Sequence, residues 1–158
     1  MTASPQVLLS HSPDHTARIA RHLAADLKPG DVLLLSGDIG AGKTHFARSA
    51  IQSLLTVPED IPSPTYTLIQ SYETASGEVW HADLYRLSDV SEIEELGLLD
   101  AFDTAICLVE WPDRLGDLAP ASALSLSFAQ GAADDARQIR FDWNSDRWSS
   151  LMKELADA

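Results

Sequence analysis

The spacing of apolar residues changes several times along the chain, and each change marks a new element. Gln6–Ser10 reads as a short first strand, after which Ser12 offers an N-cap, Pro13 sits at N1 and Asp14 is a first-turn acid. Ile19, Leu23 and Leu27 then recur at helical spacing until Lys28, Pro29 and Gly30 stop the helix. Asp31–Ser36 is apolar without alternation, the pattern of a strand covered on both faces. A glycine-rich turn over 37–42 follows, and then a helix through Phe46, Ala50, Ile51, Leu54 and Leu55. Pro58, Pro62 and Pro64 make Thr56–Pro64 a loop. Tyr66–Glu73 alternates, Ala75–Gly77 turns, and Glu78–Leu84 returns, which predicts an antiparallel hairpin. Ser88 and Asp89 can cap a short helix through Leu96, with Gly97 at its C′ position. Ala105–Val109 predicts a second buried strand, and 123–128 with 137–141 a second hairpin around Gln130 and Gly131. A terminal helix over Asn144–Asp157 carries Trp148, Leu151, Met152 and Leu155 on one face.

With 158 residues the length prior is one domain, residues 1–158. Helices and strands alternate early and strands dominate later. The predicted architecture is an α/β domain with a mixed, partly antiparallel sheet flanked by helices. The hydrophobic fraction of 45% excludes wholesale disorder. The longest apolar runs, 32–35 and 105–109, are far short of the ~20 residues of a membrane span. The first residues carry no basic segment ahead of an apolar stretch, and the single cysteine, Cys107, cannot form an intrachain disulfide. A cytoplasmic location is the expectation.

The formal net charge of −13 repels nucleic acid, and the eleven basic residues are scattered. Any anion must therefore be held by a local device. Residues 37–44, Gly-Asp-Ile-Gly-Ala-Gly-Lys-Thr, match the phosphate-loop pattern G-x-x-x-x-G-K-[ST] in full, between a buried strand and an amphipathic helix. Gly37, Asp38, Ile39, Gly40, Ala41 and Gly42 are the candidates to turn backbone amides toward phosphate. Lys43 is placed to meet the β- and γ-phosphates, and Thr44 to offer a hydroxyl to Mg²⁺. The chain has no guanine-reading N-K-x-D motif, which favours ATP over GTP.

Two apolar stretches end in an acid. Glu110 closes the buried run 106–109 at the sheet edge where open α/β sheets bind ligands, and is the candidate metal acid, although Asp is usual there. Asp83 ends a hairpin strand and is the second candidate. His81 shares a strand face with Asp83 and is a possible partner of the site from behind. Thr65, after the prolines, could orient water or meet the metal, or simply enter a strand. Arg86 could stabilise transition-state charge or pair with an acid, and Trp111 could pack near the nucleotide or fill core. The five histidines have no metal-ligand spacing with Cys107.

Taken in order, residues 37–44, Ser63–Tyr66, His81–Leu87 and Glu110–Pro112 closely resemble the TsaE (YjeE) family of small bacterial P-loop ATPases, over about Ser12 to Pro112. The resemblance implies a P-loop NTPase fold and a role in threonylcarbamoyladenosine modification of tRNA. In that family the ATPase binds the TsaD catalytic subunit with TsaB, and its nucleotide cycle supports their turnover. tRNA is then met only through the partners. By motif, Lys43 would hold phosphate, Thr44 and Glu110 would serve Mg²⁺, Thr65 would belong to a switch-like loop and Asp83 would be needed for hydrolysis. Ser12 and Thr16 match an opening where adenine contacts are inferred. His45 stands beside the loop where a second Thr is common, and the acidic turn 131–135 leaves Arg137 as the nearest basic candidate. Two other readings stay open: a small-molecule or nucleoside kinase, for which no arginine-rich lid is visible, and a nucleotide-gated binding module.

Overall fold

The computed structural model describes residues 5–38, 41–55, 69–87, 89 and 91–156. Strands β1 (Gln6–Ser10), β2 (Val32–Gly37), β3 (Ile69–Thr74), β4 (Gly77–Asp83), β5 (Ile106–Glu110), β6 (Leu124–Gln130) and β7 (Arg137–Asp142) form one sheet. Helices α1 (Pro13–Ala24), α2 (Lys43–Leu54), α3 (Ser91–Glu95), α4 (Leu98–Thr104) and α5 (Asp146–Ala156) connect and cover it. The strand order is β1-β7-β6-β2-β5-β4-β3. The four central strands β6, β2, β5 and β4 run parallel, and antiparallel hairpin partners flank them. This is the mixed α/β sheet the alternation of elements implies.

The unalternated apolar run of β2 has a direct cause. Leu33 and Leu35 face α1, α2 and α5, in a core with Leu23, Phe46, Ile51 and Trp148. Val32 and Leu34 face the opposite side, in a core with Leu84, Ile93, Leu98 and Phe102. β5 divides the same way, with Ile106 and Leu108 in the first core and Cys107 and Val109 in the second. A strand between two helical layers has no solvent face, so polarity would be penalised at every position.

Several boundaries differ from the sequence expectation. Helix α1 stops at Ala24, because the chain tightens there and the Leu27 amide bonds to Ala24 O at 3.1 Å, although Leu27 itself stays buried. Gly97 lies at φ +80° and ends one short helix while starting another, α4, whose seven residues are too few to show a period. A short 3-10 segment, Pro112–Leu118, follows β5. The expected proline loop 56–64, the start of the first hairpin strand and the Ser88 cap lie outside the described residues. The terminal helix is tied to the start of β2 by Arg147, whose Nε and Nη2 donate to the two oxygens of Asp31 at 3.0 and 2.6 Å. Among the described residues no helix is long and apolar enough to cross a membrane.

Candidate nucleotide-binding site

The parallel pairing of β2 with β5 brings the glycine turn and Glu110 to one sheet edge: Leu35, two residues before Gly37, is in register with Glu110. On the other side of β5, Asp83 of β4 is in register with the same Glu110. Gly37 leaves the strand at φ +142°, and a Cβ there would lie 2.6 Å from the Phe128 carbonyl oxygen on β6. Only glycine fits that approach. The turn then tightens through an Ala41 N–H to Asp38 O bond of 3.0 Å and enters α2 at Gly42, φ +108°, which supplies no side-chain cap. The first amides of α2 are thus left for another acceptor. Ile39 and Gly40 lie outside the described residues, as does Thr65.

Lys43 is the first residue of α2 and is buried, with 5% of its surface exposed. Its ammonium donates to Gly37 O and to Asp38 O, the latter at 3.2 Å, and lies 3.9 Å from the centre of the Trp111 ring. Loss of solvation pulls its pKa below the ordinary lysine value, and the nearby carboxylates of Glu110, Asp83 and Asp38 oppose that fall. Trp111 adopts a left-handed conformation, φ +58°, that costs an L-residue roughly 1 kcal/mol. It is pinned there by its N–H to Leu35 O bond and by the Tyr85 ring, 4.8 Å away.

Thr44 donates its hydroxyl hydrogen to Glu110 Oε1 at 2.7 Å. Glu110 is 1% exposed, and its other oxygen, Oε2, lies 2.7 Å from Nε2 of the fully buried His81. Residues 79, 81 and 83 of β4 share the face that packs toward α2, where Val79 joins the first core, so His81 reaches Glu110 from behind. Asp83 is also largely buried, and one of its oxygens accepts the Tyr85 N–H at 3.0 Å. Burial, and then the charge of Glu110, push its carboxyl above the ordinary Asp range, against the pull of that N–H, of His81 and of Lys43. The hydroxyl and carboxylate of Thr44 and Glu110 are the hard oxygen donors that Mg²⁺ takes. Such an ion keeps several waters and completes its shell from substrate phosphates. The donor set fits. Among the described residues no cluster of three or more His, Cys, Asp or Glu is arranged to enclose an ion by itself.

The remaining expected contacts gather beside Gly42. A cleft of about 260 Å³ is lined by Pro13, Thr16, Gly42, His45, Asp135 and Arg137. His45 Nε2 is 2.9 Å from Pro13 O, which ties the starts of α1 and α2 together. Arg137 donates from Nε to Ala41 O at 3.1 Å and so braces the glycine turn from β7. Ser12 and Thr16 are near, but their hydroxyls already have partners. Ser12 Oγ accepts the His15 N–H at 3.1 Å as the cap of α1, and Thr16 Oγ1 lies 2.5 Å from Ser10 Oγ. Tyr85, whose ring meets Trp111 and whose N–H bonds to Asp83, lies inside the motif 81–87, but the sequence assigned it no role. Its signal is only its place two residues after a strand-end acid.

A buried strand, a glycine turn, a lysine and hydroxyl opening the next helix, and an acid at the end of the neighbouring parallel strand define a nucleotide-binding protein of the P-loop class. The family model for the threonylcarbamoyl adenosine biosynthesis protein TsaE matches residues 10–139. The tRNA threonylcarbamoyladenosine biosynthesis protein TsaE of Bacillus subtilis is 38% identical over 92% of this chain and 90% of its own. The protein of the same name from Haemophilus influenzae is 38% identical over 68% of this chain and 67% of its own. The crystal structure of Bacillus subtilis YdiB superposes with a TM-score of 0.76 at 30% identity, covering 99% of this chain and 97% of that one. The chain belongs to the TsaE family.

Two outcomes follow from this geometry. Gly37→Ala should lower the thermal midpoint and weaken nucleotide binding together, because the new methyl meets backbone and not a yielding side chain; a variant with wild-type midpoint and affinity contradicts the close approach. Asp83→Asn should raise the midpoint of the nucleotide-free protein at neutral pH. The folded chain holds the Asp83 proton to a higher pH than the unfolded chain, so stability falls as pH rises from 3.8 through the raised value. The amide removes that penalty and keeps the oxygen that accepts Tyr85 N–H. A gain of roughly 2 °C in a calorimetric scan is expected, and a loss contradicts the burial argument.

Proposed function

We propose that this chain is the ATP-binding and ATP-hydrolysing subunit of tRNA threonylcarbamoyladenosine biosynthesis, and that its nucleotide cycle supports turnover of a TsaD–TsaB complex. The pathway follows from membership of the TsaE family. The observation that supports the activity is the convergence of Lys43, Thr44, Glu110 and Asp83 at the C-terminal edge of three adjacent parallel strands.

In this reading Lys43 leaves the carbonyls of Gly37 and Asp38 to meet the β- and γ-phosphates, with the amides at the start of α2 beside it. Repaying its lost solvation with phosphate charge makes the lysine a stronger binder of the polyanion than of anything in the free site. Thr44 and Glu110 would hold Mg²⁺, which would supply neutralisation of the phosphate charge that develops during transfer. Asp83 orients a water for in-line attack: the water oxygen bonds to the γ-phosphorus, the bond from phosphorus to the bridging oxygen breaks, ADP leaves, and a proton of the attacking water passes to phosphate or solvent. Thr65, by motif, would belong to a switch-like loop. Gly42, His45 and Thr16 border the cleft into which the nucleoside end would lead, and Ser12 caps α1 beside it. A surface as acidic as this one leaves the tRNA to the partners.

Lys43→Ala should weaken ATP binding at least tenfold, about 1.4 kcal/mol, by calorimetry in the presence of Mg²⁺. Phosphate release by the wild type should be slow alone and clearly faster with TsaD and TsaB added. Unchanged affinity in the variant, or equal rates with and without the partners, contradicts the assignment. Asp83→Ala that still binds ATP but leaves tRNA unmodified separates hydrolysis from nucleotide-gated binding.

A further inference from the structure

His81 has no exposed surface and shares the face of β4 that Val79 sends into the first core, yet it is a polar ring with one nitrogen unsatisfied. Nε2 lies 2.7 Å from Glu110 Oε2, and Nδ1 is buried with no hydrogen-bond partner. Since the carboxylate oxygen is an acceptor, the proton of this contact sits on Nε2. An apolar side chain at this position would avoid the desolvation that the orphaned nitrogen suffers. What the histidine provides in exchange is its hold on Glu110.

That hold answers a specific geometric need. Glu carries one more rotatable bond than Asp, so a strand-end glutamate has more ways to point its carboxylate. Glu110 is gripped at both oxygens: Thr44 on Oε1 from α2 and His81 on Oε2 from β4, each at 2.7 Å. The Thr44 contact is the one a cation would enter. The His81 contact is on the far side and can persist when the near one opens. Ligands of a bound metal are commonly oriented by such outer hydrogen bonds.

We propose that His81 is a positioning residue for Glu110, holding Oε2 from behind so that Oε1 is presented to Thr44 and to the cation. This rests on the nucleotide reading above. Its test is the uptake of Mn²⁺ by the ADP-loaded protein, followed from the free-ion electron-spin signal, for the wild type, His81→Leu and His81→Gln. His81→Leu should weaken Mn²⁺ uptake by about tenfold or more, and His81→Gln, whose amide can still donate, should restore most of it. ADP affinity in the presence of EDTA should be nearly the same in all three. A folded His81→Leu protein that takes up Mn²⁺ like the wild type overturns the proposal and leaves the nucleotide reading intact; a wild type that takes up neither ADP nor Mn²⁺ overturns both. Should His81→Leu not fold, the native protein decides: long-range ¹H–¹⁵N spectra should show the His81 proton on Nε2 before and after addition of Mg²⁺ and ADP. A proton on Nδ1, or loss of the hydrogen-bonded Nε2 signal on loading, overturns the assignment.

Discussion

The parallel register of β2, β5 and β4 is the constraint from which the site follows. It places the end of the phosphate-loop strand beside Glu110 and Glu110 beside Asp83, so residues far apart in sequence meet at one edge. Two helical layers bury both faces of these strands and hold the register, because slipping by one residue would turn every inward side chain to the opposite layer. The short contact between Thr44 and Glu110 exists only while that register does.

The site is also where the molecule departs from what stability alone would select. Lys43 is desolvated at the start of a helix, where its charge opposes the dipole. Asp83 is a carboxylate in a buried place next to another, and Trp111 is held left-handed. The departures gather at one edge: Lys43 lies over the Trp111 ring, and Asp83 is in register with the Glu110 that Thr44 meets. In the proposed function, a chain with net charge −13 would hold a polyanion by local attraction: backbone amides, one lysine and the helix terminus act at contact distance, where the distant acidic surface is screened.

Much of this was legible in the residues themselves. The run 31–36 announced a doubly covered strand because it does not alternate, and 37–44 announced the cradle because its glycines and lysine have fixed spacing. The i, i+2 relation of His81 and Asp83 announced a shared face, and Glu110 was marked by its place at the end of an apolar run. Other features were not legible. The contact of Lys43 with Trp111 depends on a left-handed residue that no local signal marks, and the bond from Arg137 to Ala41 crosses from β7 to the glycine turn, a separation only the strand order reveals. Helix α4 was missed because a glycine that ends one helix can also begin the next. Ser12 was readable as the cap of α1, which its Oγ forms with the His15 N–H, whereas the bond between Thr16 and Ser10 joins α1 to β1 and no local signal marks it.

The account is tested most directly by a crystal structure of the protein with Mg²⁺ and a non-hydrolysable ATP analogue. It predicts the triphosphate against the turn 37–42, the Lys43 ammonium withdrawn from Gly37 O onto phosphate oxygen, and the cation lodged between Thr44 and Glu110. A turn left bare, with Lys43 and the Thr44–Glu110 contact unchanged and the nucleotide bound elsewhere, would contradict it.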